Sequence, residues 1–191
     1  MDINFCQSCG GGVEEHIPPG DNRGRAVCSK CGLVHYQNPT MVVGCIPLWE
    51  ESILLCRRDI EPCRGLWTLP AGYLENGETV EAGAMRETWE ETRARVELIA
   101  PYRLFNITFV NQIYMMFLAN LESLDFGPTP ESSEVRLFTE AEIPWDELAF
   151  TVIHATLRHF FEDRRNNHFP FSVQGIEESR LNFKPNNLTV K

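Results

Sequence analysis

Glu87, Glu90 and Glu91 fall at positions i, i+3 and i+4, which on a helix puts three carboxylates on one face of a single turn. Like charges at these spacings repel, and a merely solvated acidic helix would interleave them with Lys or Arg. A hard divalent cation removes the conflict, because Mg²⁺ takes oxygen ligands and is usually held by carboxylates together with substrate phosphates. The three residues therefore point to a metal-dependent site for a phosphorylated substrate.

A second set of ligand-type residues lies at the front of the chain. Cys6 and Cys9 form one C-x2-C pair, Cys28 and Cys31 another, with eighteen residues between the pairs. Two such hooks supply a closed tetrahedral sulfur set, which favours structural Zn²⁺ and leaves no open position for chemistry; an iron site held by the same four cysteines is the alternative. Gly10 and Gly32 follow the two pairs, where a tight turn lets backbone approach the thiolates. A segment this short cannot bury enough surface by itself, whereas metal binding contributes roughly 10–16 kcal/mol of apparent folding free energy in comparable peptides. Cys45, Cys56 and Cys63 have no metal-type spacing, and the first two fall in apolar runs that read as core.

Around the glutamates the full spacing is Gly72, five residues, Glu78, seven residues, Arg86 and Glu87, two residues, Glu90 and Glu91. This resembles the Nudix box, the signature of hydrolases that cleave nucleoside diphosphates linked to another moiety, and residues 65–71 resemble the family's approach to it. The resemblance covers about residues 40–165. It implies that Glu87, Glu90 and Glu91, with the Gly72 carbonyl, hold catalytic Mg²⁺ or Mn²⁺. It also implies that Arg86 orients the glutamates with Glu78 as its partner, and that water attacks directly without a covalent intermediate. The base is left open: some members use a box glutamate and others a glutamate from a distant loop. Here the acidic segment 128–134 resembles that loop, with Glu134 the first choice and Glu131 the second; a solvated acidic turn is the plain alternative. One position departs from the pattern, since Arg93 stands where the family usually has Gly. That residue sits near the helix end, where a left-handed conformation is often needed, so the departure concerns the cap rather than a ligand.

A zinc ribbon ahead of a Nudix domain resembles a subgroup that includes NADH, FAD and ADP-ribose pyrophosphatases. The array that marks the NADH enzymes has no counterpart in residues 96–111; a fragment of it at 168–172 comes far too late. The proline that often marks ADP-ribose hydrolases is also missing, with Phe109 and Val110 in its place. The architecture without the NADH array favours ADP-ribose or FAD as substrate. Trp49, Tyr73, Tyr102, Phe105 and Phe109 are the aromatics available to stack an adenine or flavin, or else to fill the core.

Composition narrows the rest. The 191 residues carry a formal charge of −10, and the isoelectric point is about 5.0. Such a chain gains nothing from counterion release on a phosphate backbone, so polymeric nucleic acid is not expected as a partner, and a zinc-ribbon nucleic-acid module is disfavoured. A small phosphorylated ligand stays compatible, because a bound metal reverses the local field. No stretch approaches the roughly 20 apolar residues that span a bilayer, and the first residues lack the basic start and apolar core of a secretory signal. A cytoplasmic protein is expected, in which seven cysteines are thiols or ligands rather than disulfides. The residues do not set an oligomeric state, though similar proteins are commonly homodimers.

The elements that must position these groups read as strands at 41–49, 52–57, 66–69, 96–99, 102–105, 112–119 and 134–138. A helix is expected at 79–92, with Thr79 as N-cap, Val80, Ala84 and Thr88 on one packed side and Met85 and Trp89 on another. A last helix is expected at 150–164, with Val152, Ile153, Leu157, Phe160 and Phe161 inward. These strands and helices fit an α/β fold. The resemblance implies a Nudix α/β/α sandwich with a mixed sheet: a zinc ribbon over residues 1–38, a hydrolase domain over 39–175 and a C-terminal tail over 176–191. The alternative to an enzyme is a non-catalytic, nucleotide-sensing regulatory protein of the same fold, against which three mutually repelling carboxylates weigh.

Overall fold

A computed structural model describes residues 3–177. The C-terminal tail expected from residue 176 therefore lies almost wholly outside the described residues. The chain divides between Pro39 and Thr40 into two units.

In the first unit, β1 (Val13–His16), β2 (Arg25–Cys28) and β3 (Val34–His35) form an antiparallel sheet in that order. Among its described residues only Cys6, Pro18, Val27 and Cys28 are buried, so no apolar core holds it. The cysteine hooks take that role. The Gly10 and Gly32 N–H groups donate to the carbonyls of Cys6 and Cys28, both at 2.9 Å, closing tight turns with φ of 67° and 72°.

In the second unit an apolar hairpin of β4 (Thr40–Trp49) and β5 (Ser52–Arg58) pairs only next to its turn, at Leu48 with Ile53 and Trp49 with Ser52. Beyond that point the two strands separate, and residues 67–73 wedge between them. β6 (Trp67–Thr68) pairs with β5, and β7 (Ala71–Tyr73) pairs with β4. This splay carries Gly72 into the sheet and opens the chain toward α1 (Val80–Thr92).

The sheet continues through β8 (Val96–Ile107), β9 (Gln112–Leu121), β10 (Ser132–Phe138) and β11 (Ser172–Ile176), in the order β10-β5-β4-β9-β8-β11. It is mixed, since β4–β9 and β8–β11 are parallel. Side chains alternate between two cores, as the period-2 geometry of a doubly buried sheet requires. Val43, Cys45, Leu54, Met115 and Phe117 pack with Ala84 of α1. Ile46, Ile53, Leu55, Met116 and Leu118 pack with Val152, Ile153, Leu157, Phe160 and Phe161 of α2 (Thr151–Arg165). The result is an α/β/α sandwich. The Tyr102 hydroxyl donates to Asp163 at 2.6 Å, tying β8 to α2.

Three expectations need correction. Residues 96–99 and 102–105 are one twelve-residue strand, bent by irregularities near Ala100 and Pro101, instead of two strands. Met85 and Trp89 are not packed: both are exposed on α1, where Trp89 lies beneath the Arg93 guanidinium at 4.5 Å. The edge strand β11 has no counterpart in the expected elements: its five residues are a short run interrupted by a glycine, which weakens the strand signal. Arg93 does cap α1 in the left-handed region, with φ 61°, and its N–H donates to the Trp89 carbonyl at 2.7 Å. Among the described residues no helix is long and apolar enough to cross a membrane.

Candidate active site

Thr79 starts α1, its hydroxyl accepting from the Ala82 N–H at 3.2 Å, and this fixes the phase of the helix. With that phase Glu87 faces β7, Glu90 faces solvent and Glu91 is buried. Glu87 lies directly against the Gly72 Cα, so that a Cβ at residue 72 would overlap its carboxylate. Gly72 thus leaves room for the Glu87 carboxylate, which a larger residue would displace.

Arg86 is the hub of the cluster. Its Nε and Nη2 donate to Glu78 at 3.1 and 2.6 Å, and its Nη1 donates to Glu87 at 2.7 Å and to Glu90 at 2.9 Å. Nη2 also donates to the Tyr73 carbonyl at 3.1 Å. One planar fork therefore fixes three carboxylates and the backbone beside Gly72, a geometry that Lys cannot reproduce. The fork holds the Glu78 carboxyl below the usual range, helped by the Glu75 N–H at 2.7 Å. Burial raises Glu87, against the pull of Arg86.

Glu91 is held differently. Its Oε2 accepts from the Ala71 N–H at 3.0 Å and from the Cys56 thiol at 3.7 Å. Burial pushes its carboxyl up to about 7, and the Ala71 hydrogen bond opposes that shift. These oxygen donors, partly desolvated and mutually repulsive, fit a hard divalent cation. Among the described residues the four cysteine sulfurs form the one compact group of this kind, all within 4.8 Å of one another, and the glutamates do not join in such a group.

The glutamates line one wall of a cavity of about 710 Å³. Ile107, Phe109, Val110, Tyr114, Phe150 and Ile176 also line it, as does Tyr73, whose hydroxyl accepts from the Gln112 amide at 3.0 Å. The structure thus sorts the candidate stacking aromatics. Tyr73 and Phe109 face the cavity, Tyr102 and Phe105 are wholly buried, and Trp49 is partly buried against the core that contains Cys45 and Leu54.

It also separates the two loop carboxylates. Glu131 lines the cavity, whereas Glu134 lies outside it, 3.8 Å from Arg57 on β5. The register shift between Ser132 and Glu134 is the physical reason, since one extra residue there re-aims the side chains that follow. Residue spacing did not reveal Arg58, Tyr114 and Phe150, which also line the cavity. Arg58 ends an apolar strand as the second of two arginines, and strand alternation was the signal that one of them must face inward.

In the first unit, the Cys6 and Cys31 sulfurs lie 3.7 Å apart and those of Cys9 and Cys28 3.5 Å apart. The Lys30 and Cys31 N–H groups both donate to the Cys28 sulfur at 3.4 Å, as expected for a thiolate ligand. The close backbone approach expected at Gly10 and Gly32 occurs instead at Gly11, where a Cβ would stand 3.2 and 3.3 Å from the sulfurs of Cys28 and Cys9. Four sulfurs so placed fit tetrahedral Zn²⁺.

Comparison with known proteins gives this arrangement its family. Residues 38–162 match the NUDIX domain, and residues 4–37 match the Nudix N-terminal zinc-ribbon model. A crystal structure of a NUDIX hydrolase from Nitrosomonas europaea superposes with a TM-score of 0.89 at 50% identity, covering 92% of this chain and all of that one. An NAD-capped RNA hydrolase NudC from Vibrio parahaemolyticus is 28% identical over 164 residues, which are 84% of this chain and 60% of the relative. A shorter match, 42% identical over 57 residues, joins 30% of this chain to 34% of an ADP-ribose pyrophosphatase from Methanocaldococcus jannaschii. The chain spans between about half and three fifths of the length of the NudC relatives. The chain belongs to the NUDIX domain family and carries that family's N-terminal zinc ribbon.

Proposed function

We propose that this chain hydrolyses the pyrophosphate bond of a nucleoside diphosphate linked to another moiety, with ADP-ribose or FAD favoured, releasing a nucleoside monophosphate. The observation that carries the reading is the Arg86 fork, which presents Glu87 and Glu90 beside Gly72 at the edge of a nucleotide-sized cavity. Family membership supports the same reaction class.

Glu87, Glu90, Glu91 and the Gly72 carbonyl would hold Mg²⁺ or Mn²⁺. A divalent cation bound there lowers the pKa of water and shields the phosphate oxygens. The residues of the chain do the rest. Arg86 and Glu78 orient the carboxylates, and the Ala71 N–H keeps Glu91 aimed into the site. Glu131, at the cavity wall, is our assignment for the loop carboxylate that takes a proton from the attacking water, in preference to Glu134. Tyr73 and Phe109 offer flat apolar faces to an adenine or flavin ring. Zn²⁺ on Cys6, Cys9, Cys28 and Cys31 would serve structure alone. A homodimer and a cytoplasmic location complete the proposal.

The relatives named NAD-capped RNA hydrolases support a second substrate, a dinucleotide cap on RNA. The test is a panel of ADP-ribose, FAD, NADH, NAD⁺ and NAD-capped RNA, with and without Mg²⁺, run in ¹⁸O-labelled water. Mg²⁺-dependent AMP release with one labelled oxygen in a product phosphate supports hydrolysis, and the product that carries the label identifies the phosphorus attacked by water. Binding of the panel without turnover would establish the sensor instead.

A further inference from the structure

Two guanidinium groups line the cavity, and they are committed very differently. Arg86 is saturated by Glu78, Glu87, Glu90 and the Tyr73 carbonyl. Arg58 closes no ion pair among the described residues: the Pro62 carbonyl accepts from its Nε at 2.8 Å, and its guanidinium carbon lies 5.1 Å from the centre of the Phe150 ring. A guanidinium stacked and anchored through Nε keeps its terminal donors and its full charge, pre-oriented for a phosphate. The remaining charges on the cavity wall are negative. Glu61, Glu75 and Glu131 stand there beyond the helix glutamates, and Arg58 and Arg86 are the only Lys or Arg lining it among the described residues.

We propose that this cavity accepts a diphosphate whose flanking groups carry no further phosphate, with Arg58 receiving one phosphate of that diphosphate and Glu61 and Glu75 repelling any additional one. The inference rests on the hydrolase reading above and specifies its substrate class. A phosphate beyond the diphosphate meets carboxylates with no uncommitted cation to answer them. Two or three unit charges at cavity distances, partly screened by solvent, amount to a preference of about 10–100-fold. The same repulsion acts on a polynucleotide tail, which brings one charge per nucleotide toward a chain of net charge −10. Small dinucleotides are thereby favoured over capped RNA.

The experiment compares kcat/KM within substrate pairs that differ by one phosphate, ADP-ribose with its 2′-phosphate and NADH with NADPH, and sets NAD⁺ against NAD-capped RNA. The wild-type protein is expected to prefer the less phosphorylated member by about 10–100-fold. Arg58→Gln raises KM for both members of a pair alike, by roughly tenfold or more, with Arg58→Lys recovering part of the loss and Tm reporting that each variant is folded. Glu61→Gln with Glu75→Gln narrows the ratio within a pair by at least about threefold. Equal use of both members, an unchanged ratio in the glutamine double variant, an unchanged KM in Arg58→Gln, or a preference for capped RNA each overturns the proposal while leaving the hydrolase reading intact. No turnover of any of these by the wild-type protein overturns the hydrolase reading as well.

Discussion

The Glu87 carboxylate rests on the Gly72 Cα with no room for a side chain between them. This contact joins the wedge of residues 67–73 to α1, so the strand geometry and the carboxylate cluster are fixed by one packing relationship. Gly72→Ala is expected to displace the Glu87 carboxylate from the site at little cost to stability, because the overlapping atoms are the far end of a flexible side chain. Denaturant unfolding together with metal-dependent turnover checks this. A variant as active as wild type would show that the contact constrains nothing.

Arg86→Lys keeps the positive charge and loses the fork. The Glu78 pairing and the bridge from Glu87 to Glu90 depend on separate N–H groups in one plane, so the carboxylates lose their common orientation. Outer partners of metal ligands typically account for 10–100-fold in affinity or activity, and a loss of roughly that size is expected here. Titration with Mn²⁺ followed by electron paramagnetic resonance reads the affinity directly. Wild-type affinity in the lysine variant would reduce Arg86 to a generic counter-charge.

Burial raises the Glu91 carboxyl from its ordinary 4.5 to about 7. Without added Mg²⁺ or Mn²⁺, the folded protein keeps a proton between those pH values that the unfolded chain has released. Stability is then fully present below about 4.5 and falls as pH rises toward 7, the sign required when the folded state binds more protons. Glu91→Gln removes this contribution, and its Tm should vary less across that window than that of wild type. Parallel Tm profiles for the two proteins would contradict the assignment of the buried proton.

In the ribbon, Cys28 accepts two backbone N–H groups and sits among the few buried residues of its unit. Cys28→Ser is expected to release Zn²⁺ and unfold the first unit, since so small a segment has little else to hold it. Zinc analysis and circular dichroism measure this, and the chemistry of the second unit should survive. Retained zinc with unchanged stability would remove the structural role.

The placement of the candidate glutamates was legible in the sequence because helical spacing is rigid. Once Thr79 sets the start of α1, residues 86, 87, 90 and 91 can only fall where they do. The left-handed cap at Arg93 was expected only through the resemblance, whose pattern usually has glycine there, and the structure gives it a φ of 61°. What spacing could not give was anything decided by strand register. The choice of Glu131 over Glu134 depends on a one-residue irregularity in β10, and the separation of Arg57 from Arg58 depends on the side of β5 each one faces. Tyr102 and Phe105 looked as suited to stacking as Tyr73 and Phe109, because burial is a property of the assembled sheet and not of the residue.

The central claim is that carboxylates on one turn of α1 carry a metal-dependent hydrolysis. The most direct measurement is kcat for Mg²⁺-dependent AMP release from ADP-ribose or FAD by wild type, Glu90→Gln and Glu91→Gln, with Tm confirming that both variants are folded. A fall on the order of 100-fold or more is predicted in each, equivalent to about 2.7 kcal/mol of lost transition-state stabilisation. Near-wild-type turnover in both variants would contradict the claim.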